Sequence, residues 1–492
     1  MPKVGLVSLG CPKNQVDSEV MLGLLAREGY DLVSDASSAD VIIVNTCSFI
    51  GPAKQESIDT ILEMAALKKT GGAKRLVVAG CMVERYRRQI LDEMPEVDCV
   101  IGTNEVERVV AACLPSDSAS PKREFTTRAE PYLYHEFTPR VLSTAPHAAY
   151  IKIAEGCDHT CSFCVIPQMR GEFRSRRFES VVREAENLAA QGARELTLVG
   201  QDNTSYGEDL GLRDGLAALL GELAKAPELV WLRFLYCYPN RVTDALIAAV
   251  ADSPRVAKYF DIPLQHASGA VLKAMRRGSN GPQFLKLIGK IRAAIPGVTL
   301  RTSFIVGFPG ETEDDFKTLM DFAAEAQFDR LGVFLYSNEE SSGSFRLPNP
   351  VSALVAGNRR RQLLALQRRI SRRKLKALVG KRLPVLVEGR AAETDLLFRG
   401  RLESQAPEVD GQVYINDFSG SEPRAGEYRW ATITESSDYD VVARMEAEYF
   451  AEPRERFWRR EESASAGLVQ IQPVAPTADG RISPNASYVP HL

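Results

Sequence analysis

Glu155-Gly156-Cys157-Asp158-His159-Thr160-Cys161-Ser162-Phe163-Cys164 places three cysteines at C-x3-C-x2-C within ten residues. Thiolates are soft ligands, and they hold iron–sulfur clusters. A [4Fe–4S] cluster has four irons, so three close cysteines leave one iron without a protein ligand. An open iron signals chemistry on a bound molecule rather than electron transfer alone. The run after Cys164, Val165-Ile166-Pro167, is apolar and would limit water at such a site.

Around this stretch, strand and helix patterns alternate. Candidate strands are Tyr150–Ala154, Leu196–Val199, Val230–Leu235, Lys258–Ile262, Val298–Val306 and Arg330–Leu335. Helical patterns such as Phe178–Ala190 and Thr312–Ala326 fill the gaps. Six parallel strands predict a partial (β/α)6 barrel with its chemistry on the loops at the strand C-termini. The three cysteines follow the first of these strands. Other loops on the same rim carry Gly200-Gln201-Asp202, Gln265-His266 and Gly307-Phe308-Pro309-Gly310-Glu311. His266 reads as either a packed, hydrogen-bonded side chain or a proton carrier.

Upstream, Val4–Leu9, Val41–Val44 and Leu76–Ala79 read as strands, each followed by a helical pattern. This predicts an open parallel sheet. Cys11, Cys47 and Cys81 fall one to three residues after these strands, 36 and 34 residues apart. Ligands of open α/β sheets bind beyond the carboxyl ends of the strands, so the three converge on one rim. They are either a second thiolate trio or buried structural cysteines. Cys99, Cys113 and Cys237 do not share the pattern and read as buried or incidental.

Downstream, the helical pattern over 358–378 holds nine Arg or Lys and no acid. It is either a solvated face beside a core stripe or a contact for RNA phosphates. Short alternating runs from 380 to 440 predict a small antiparallel β-barrel. That segment carries 12 acids against 7 bases, a balance better suited to a basic protein partner than to RNA. The Ser-, Ala- and Pro-rich remainder reads as disordered. The expected organisation is 1–118 amino-terminal α/β domain, 119–142 linker, 143–375 barrel, 376–445 small β-barrel and 446–492 tail. Tyr132, Tyr134 and Phe137 suit a packed arm better than a free linker.

Composition limits the alternatives. Of 492 residues, 45% are hydrophobic and 25% charged, as in ordinary globular proteins. The net charge of −3 offers no overall basic field for nucleic acid. The start runs directly into a strand pattern without a secretory h-region, and no apolar run reaches membrane-spanning length. A cytoplasmic protein with no membrane partner is expected. Its nine cysteines are then metal ligands or buried thiols rather than disulfides.

The C-x3-C-x2-C loop after a strand resembles the signature of the radical S-adenosylmethionine (SAM) enzymes. Ser8-Leu9-Gly10-Cys11-Pro12-Lys13-Asn14, Asn45-Thr46-Cys47-Ser48-Phe49-Ile50 and Ala79-Gly80-Cys81 are similar to the amino-terminal domain of the methylthiotransferases. The segment after 376 resembles their TRAM domain. The resemblance spans residues 1–440 and implies two [4Fe–4S] clusters. Cys157, Cys161 and Cys164 would hold the one that binds and cleaves SAM; Cys11, Cys47 and Cys81 would hold the one that carries the sulfur. It also implies SAM contacts at Gln201, Arg301, Gly307, Gly310 and Glu311. Glu155-Gly156-Cys157-Asp158, Ile166-Pro167-Gln168-Met169-Arg170-Gly171 and Asp261-Ile262-Pro263-Leu264-Gln265-His266 look like the branch that modifies the β-carbon of an aspartate in ribosomal protein S-twelve, free or in the small subunit. The alternative is the transfer-RNA adenosine branch. From other classes, a two-cluster electron carrier and a non-catalytic RNA-binding protein compete. Turnover would also require a sulfur donor and an electron donor protein, neither of which a motif here identifies.

Overall fold

The computed structural model describes residues 1–70, 72–114, 123–124 and 132–451. The expected tail from 446 therefore divides: 446–451 belong to a strand, and 452–492 lie outside the described residues, as does much of the expected linker.

The amino-terminal unit is a parallel sheet in the order Asp31–Leu32, Lys3–Ser8, Val41–Thr46, Arg75–Gly80, Cys99–Ile101, Arg123–Glu124. Val41–Val44 and Leu76–Val78 are buried on both sheet faces, which explains why these strands read as unbroken apolar runs. Helix Pro12–Arg27 starts with proline in its first turn, where a missing N–H costs nothing. Its Val16, Val20 and Leu24 face the sheet.

The central unit has six parallel strands: Ala148–Lys152, Glu195–Val199, Trp231–Phe234, Tyr259–Asp261, Thr299–Val306 and Arg330–Leu335. Two three-stranded sheets join through a bridge between Leu232 and Val256, giving the expected partial barrel. A short antiparallel ladder, Ala154–Glu155 with Arg174–Ser175, was not anticipated. It ties the two ends of the cysteine loop together.

The terminal unit is a closed five-stranded barrel of Arg382–Ala391, Thr394–Leu402, Val413–Phe418, Val441–Ala451 and Tyr428–Ser436. Its pairing is antiparallel except between Val413–Phe418 and Val441–Ala451, which run parallel. Helix Ala353–Lys376 leads into it and packs on strand Arg330–Leu335, with Leu363 in the same apolar cluster as Val333. Four of the nine cations over 358–378 pair with carboxylates. Arg359 lies against Glu311 and Glu313, Arg368 and Arg372 against Asp438, and Lys374 against Asp329.

One apolar cluster runs through all three units. It links Val16, Val20 and Ile43 to Tyr150, Val199 and Tyr259 of the barrel and to Ala406 and Val409 of the terminal unit. The arm from 132 to 147 strengthens the joint. The Tyr134 hydroxyl donates to Glu184 at 3.0 Å, and Arg140 bridges Glu19 at 2.6 Å and Glu184 at 2.7 Å. Tyr134 and Tyr132 pack as expected of an arm; Phe137 is exposed. No helix among the described residues is long and apolar enough to cross a membrane.

Candidate active site

Cys11 caps helix Pro12–Arg27, Cys47 follows strand Val41–Thr46 directly, and Cys81 opens helix Cys81–Glu93. The first two loops interlock. Asn14 donates to the Leu9 carbonyl at 2.7 Å, and Asn45 donates to the Asn14 carbonyl at 2.9 Å and to Ser18 at 2.8 Å. Gly10 has φ +86°, and a Cβ there would lie 2.8 Å from Cys47 Cβ. Only glycine permits that close approach.

The second loop leaves the ladder at Glu155 and carries Cys157, Cys161 and Cys164. It returns through the short helix Ile166–Arg170. All six cysteines line one cavity of about 150 Å³ at the junction of the first two units. Cys237, read as incidental, also lies on its wall, whereas Cys99 and Cys113 are buried elsewhere. Val165 and Met169 pack on Cys81, with Phe49 and Ile166 beside them, as an apolar partition between the two loops.

Burial pushes the Cys47 and Cys157 thiols up to about 12, and it raises Cys81 and Cys164 as well. Such thiols are neutral until a metal displaces their protons. Among the described residues no three of His, Cys, Asp or Glu converge closely enough to hold a single ion. Thiols spread around a cavity instead suit the separate corners of a polynuclear cluster, so the donor set fits two thiolate-held clusters. Polar atoms around the wall are buried and unpartnered: Gln201 Oε1, Tyr236 OH, Gln265 Oε1 and Arg277 Nε. Tyr236 and Gln265 have φ of 59° and 72°, strained backbone of the kind held at binding sites. His159 Nε2 lies 2.6 Å from Asp202 Oδ2, and its ring stacks on Tyr238 at 3.7 Å.

Of the SAM-contact candidates, Gln201 lies in this cavity, donating to Glu155 at 3.0 Å. Arg301, Gly307, Gly310 and Glu311 do not line it. Arg301 pairs with Asp261 at 2.7 Å and faces a second cavity towards the terminal unit. Glu311 accepts from the Gly307 and Phe308 amides, closing its own turn. Gly307 admits helix Ala353–Lys376, since a Cβ there would sit 2.6 Å from Ala356 Cβ. The Gly310 amide donates to the Asn349 carbonyl at 2.8 Å. His266 is fully buried, with Nδ1 accepting from the Ser268 amide at 3.0 Å.

Sequence reading missed a buried set of four charges that joins the units behind the cavity. Lys152 contacts Asp17 and, at 2.6 Å, Glu155. Arg170 contacts Asp17 at 2.7 Å, Glu155 at 3.1 Å and Asn14 Oδ1 at 3.1 Å. Burial pushes the Glu155 carboxyl up, but Arg170 and Lys152 outweigh it and hold it at about 2. Only the run of charged residues flanking the cysteine loop hinted at these contacts. Lys13 was likewise passed over. Its ammonium lies on the cavity wall, 3.4 Å from the Tyr236 ring centroid.

Residues 3–102 match the Uncharacterized protein family UPF0004, residues 151–323 the Radical SAM superfamily and residues 379–445 the TRAM domain. A solved radical S-adenosylmethionine methyltransferase, TsrM from Kitasatospora setae, shares the fold with a TM-score of 0.50 and 17% identity, over 68% of this chain and 73% of that one. The fold and the cysteine loop define the class: a radical SAM protein carrying a second thiolate-bearing domain and a TRAM barrel. The ribosomal protein uS12 methylthiotransferase RimO of Solibacter usitatus (strain Ellin6076) is 60% identical, over 90% of this chain and 94% of its own length. Those of Koribacter versatilis (strain Ellin345) and Geobacter sulfurreducens are 54% and 47% identical, each over 90% of this chain and over 96% and 98% of their own. The chain belongs to the ribosomal protein uS12 methylthiotransferase family, and the transfer-RNA alternative is not favoured.

Proposed function

We propose that this protein attaches a methylthio group to the β-carbon of a specific aspartate of ribosomal protein uS12, in the cytoplasm where that substrate is found. Cys157, Cys161 and Cys164 would hold the SAM-binding [4Fe–4S] cluster, and Cys11, Cys47 and Cys81 the second cluster. The observation that carries this reading is the meeting of six thiols from two units on one cavity. An unactivated C–H bond beside a carboxylate is not acidic enough for a side-chain base at neutral pH. When bound, the clusters and SAM supply radical, methyl-transfer and sulfur chemistry that side chains lack.

The chain's own part is to position and to shield. Phe49, Val165, Ile166 and Met169 keep the space between the loops apolar, which excludes water from a reactive centre. Gln201 and Gln265 offer carbonyl oxygens for a bound donor, and Arg277 supplies a guanidinium beside Cys161 at 3.5 Å. Arg301, Gly307, Gly310 and Glu311 support the rim from behind. The acidic balance of the terminal barrel favours a basic protein face over bare RNA. Arg360, Arg361, Arg369, Arg373 and Lys376 of helix Ala353–Lys376 are exposed and outside its ion pairs, so they are the cations available to RNA phosphates.

Mass spectrometry of small-subunit proteins from cells with and without the gene tests the substrate: a methylthio increment on the aspartate depends on the gene. Cys161→Ala abolishes 5′-deoxyadenosine formation from SAM and reductant, and SAM cleavage at the normal rate in that variant would refute the assignment. Cys47→Ala leaves cleavage in place and removes the mass increment.

A further inference from the structure

An aspartate entering this cavity brings a carboxylate with it. Burying that charge without a partner is expensive, so the wall must supply a cation. Lys13, Arg170 and Arg277 carry the aliphatic-chain cations on the wall. Arg170 is committed to Asp17, Glu155 and Asn14. Arg277 donates to the Pro263 carbonyl at 2.7 Å, lies over the Tyr238 ring at 4.2 Å and points towards Cys161. Lys13 differs from both. It is 5% exposed, no carboxylate among the described residues pairs with it, and its ammonium rests on the Tyr236 ring. The Tyr236 hydroxyl is itself buried and without a partner. The backbone fixes both groups. Lys13 sits in the first turn of helix Pro12–Arg27, two residues after Cys11. Tyr236 is locked by its amide donating to Asp261 at 3.1 Å and its carbonyl accepting from the Asn203 amide at 3.0 Å.

We propose that Lys13, with the Tyr236 hydroxyl as second donor, binds the side-chain carboxylate of the substrate aspartate and so selects an acidic residue over its amide. This rests on the functional reading above and adds the residue that sets its substrate specificity. A carboxylate held here lies beside the first thiol trio. Its neighbouring β-carbon would then face the space between the two trios. Lys13 would leave the face of the ring for the carboxylate, exchanging a cation–π contact for a charge-assisted hydrogen bond, which is the stronger of the two.

The test is binding of two fluorescent peptides to anaerobic holoenzyme without reductant, so that no turnover occurs. One peptide spans the target aspartate of uS12, and the other carries asparagine there. Wild type is expected to prefer the acidic peptide by about 10- to 100-fold, the range of a charged hydrogen-bonded pair. Lys13→Met erases the preference while iron and sulfide content stay at wild-type levels. Lys13→Arg restores part of the preference, and Tyr236→Phe reduces it several-fold. Undiminished preference in Lys13→Met overturns the proposal. So does a variant in which SAM binding falls while the peptide ratio is unchanged, because the carboxylate held would then be that of SAM. Wild type that prefers neither peptide also overturns it. Wild type that leaves no methylthio increment on uS12 refutes the functional reading instead, and the mass spectrum reports that separately.

Discussion

Replacing Arg170 with Met tests the joint behind the cavity. Arg170 and Lys152 each touch both Asp17 and Glu155, so two cations and two carboxylates neutralise one another out of water. Methionine keeps most of the volume and removes one charge. Two buried carboxylates are then left on a single ammonium. Breaking a buried pair in this way costs about 3–5 kcal/mol. For a unit of about 150–250 residues, each kcal/mol lowers Tm by about 2–4 °C, so a fall of roughly 6–20 °C is expected. Because Asp17 belongs to the first unit and the other three residues to the second, the heat-absorption peak should also split as the units melt apart. Scanning calorimetry of metal-free wild type, Arg170→Met, Asp17→Asn and the double variant completes a thermodynamic cycle. Asp17→Asn restores neutrality in the Arg170→Met background and should recover about 1–3 kcal/mol. Acid adds a second check. With its carboxyl held at about 2, Glu155 contributes stability in full above its unfolded value of 4.5 and loses it as pH falls towards 2. Without Arg170 the folded carboxyl moves back up, so the acid-dependent loss becomes smaller and its window narrows. A variant melting within about 2 °C of wild type, or a coupling energy of zero, would refute the reasoning.

Other perturbations reach different parts of the molecule. Burial lowers His147 to about 4 from 6.5, so it is neutral in the fold and charged in the unfolded chain between those values; stability should fall by about 3 kcal/mol as pH drops across that window, and His147→Gln should flatten that limb of a denaturation–pH profile. Glu195 lies buried between Arg233, at 3.2 Å, and Arg401 of the terminal barrel, so Glu195→Gln leaves two guanidiniums under-compensated; a loss of about 3–5 kcal/mol is expected, with faster proteolysis near 376–381 as the barrel undocks. Gly10→Ala forces a methyl against Cys47 and strains a left-handed residue; iron bound after reconstitution should fall towards that of a one-cluster protein while the far-ultraviolet circular dichroism stays unchanged.

Both thiol trios are legible in the sequence for local reasons: Cys11, Cys47 and Cys81 each stand just beyond a strand whose apolar run announces it, and Cys157, Cys161 and Cys164 share one short spacing. Strand and helix periods are local, and so is the C-x3-C-x2-C spacing. The pairing of Asp17 with Lys152 and Arg170 is not local, since 135 and 153 residues separate the partners. The helical period around Asp17 does not distinguish it from an ordinary helix-surface acid. Arg301 is a different case. Its strand was read correctly, but it is the third residue of that strand and lies well before the carboxyl end that forms the rim. The last barrel strand, Val441–Ala451, lies beyond the alternating runs read over 380–440, although its buried Val441, Ala443 and Met445 alternate with Arg444 and Glu446 in the period of a strand. The ladder that closes the cysteine loop is two residues long on each side, too short for any period to show.

The division of the six thiols between two units has a consequence in time. A ribosome releases the amino end first, and domains fold as they emerge. Cys11, Cys47 and Cys81 can thus reach their shared rim before Cys157 has been synthesised. During that interval the first rim has no barrel across from it, no apolar partition and no Arg170 behind Asp17. On the assignment proposed above, iron would reach the first trio most easily on the nascent chain, before the barrel docks across its rim.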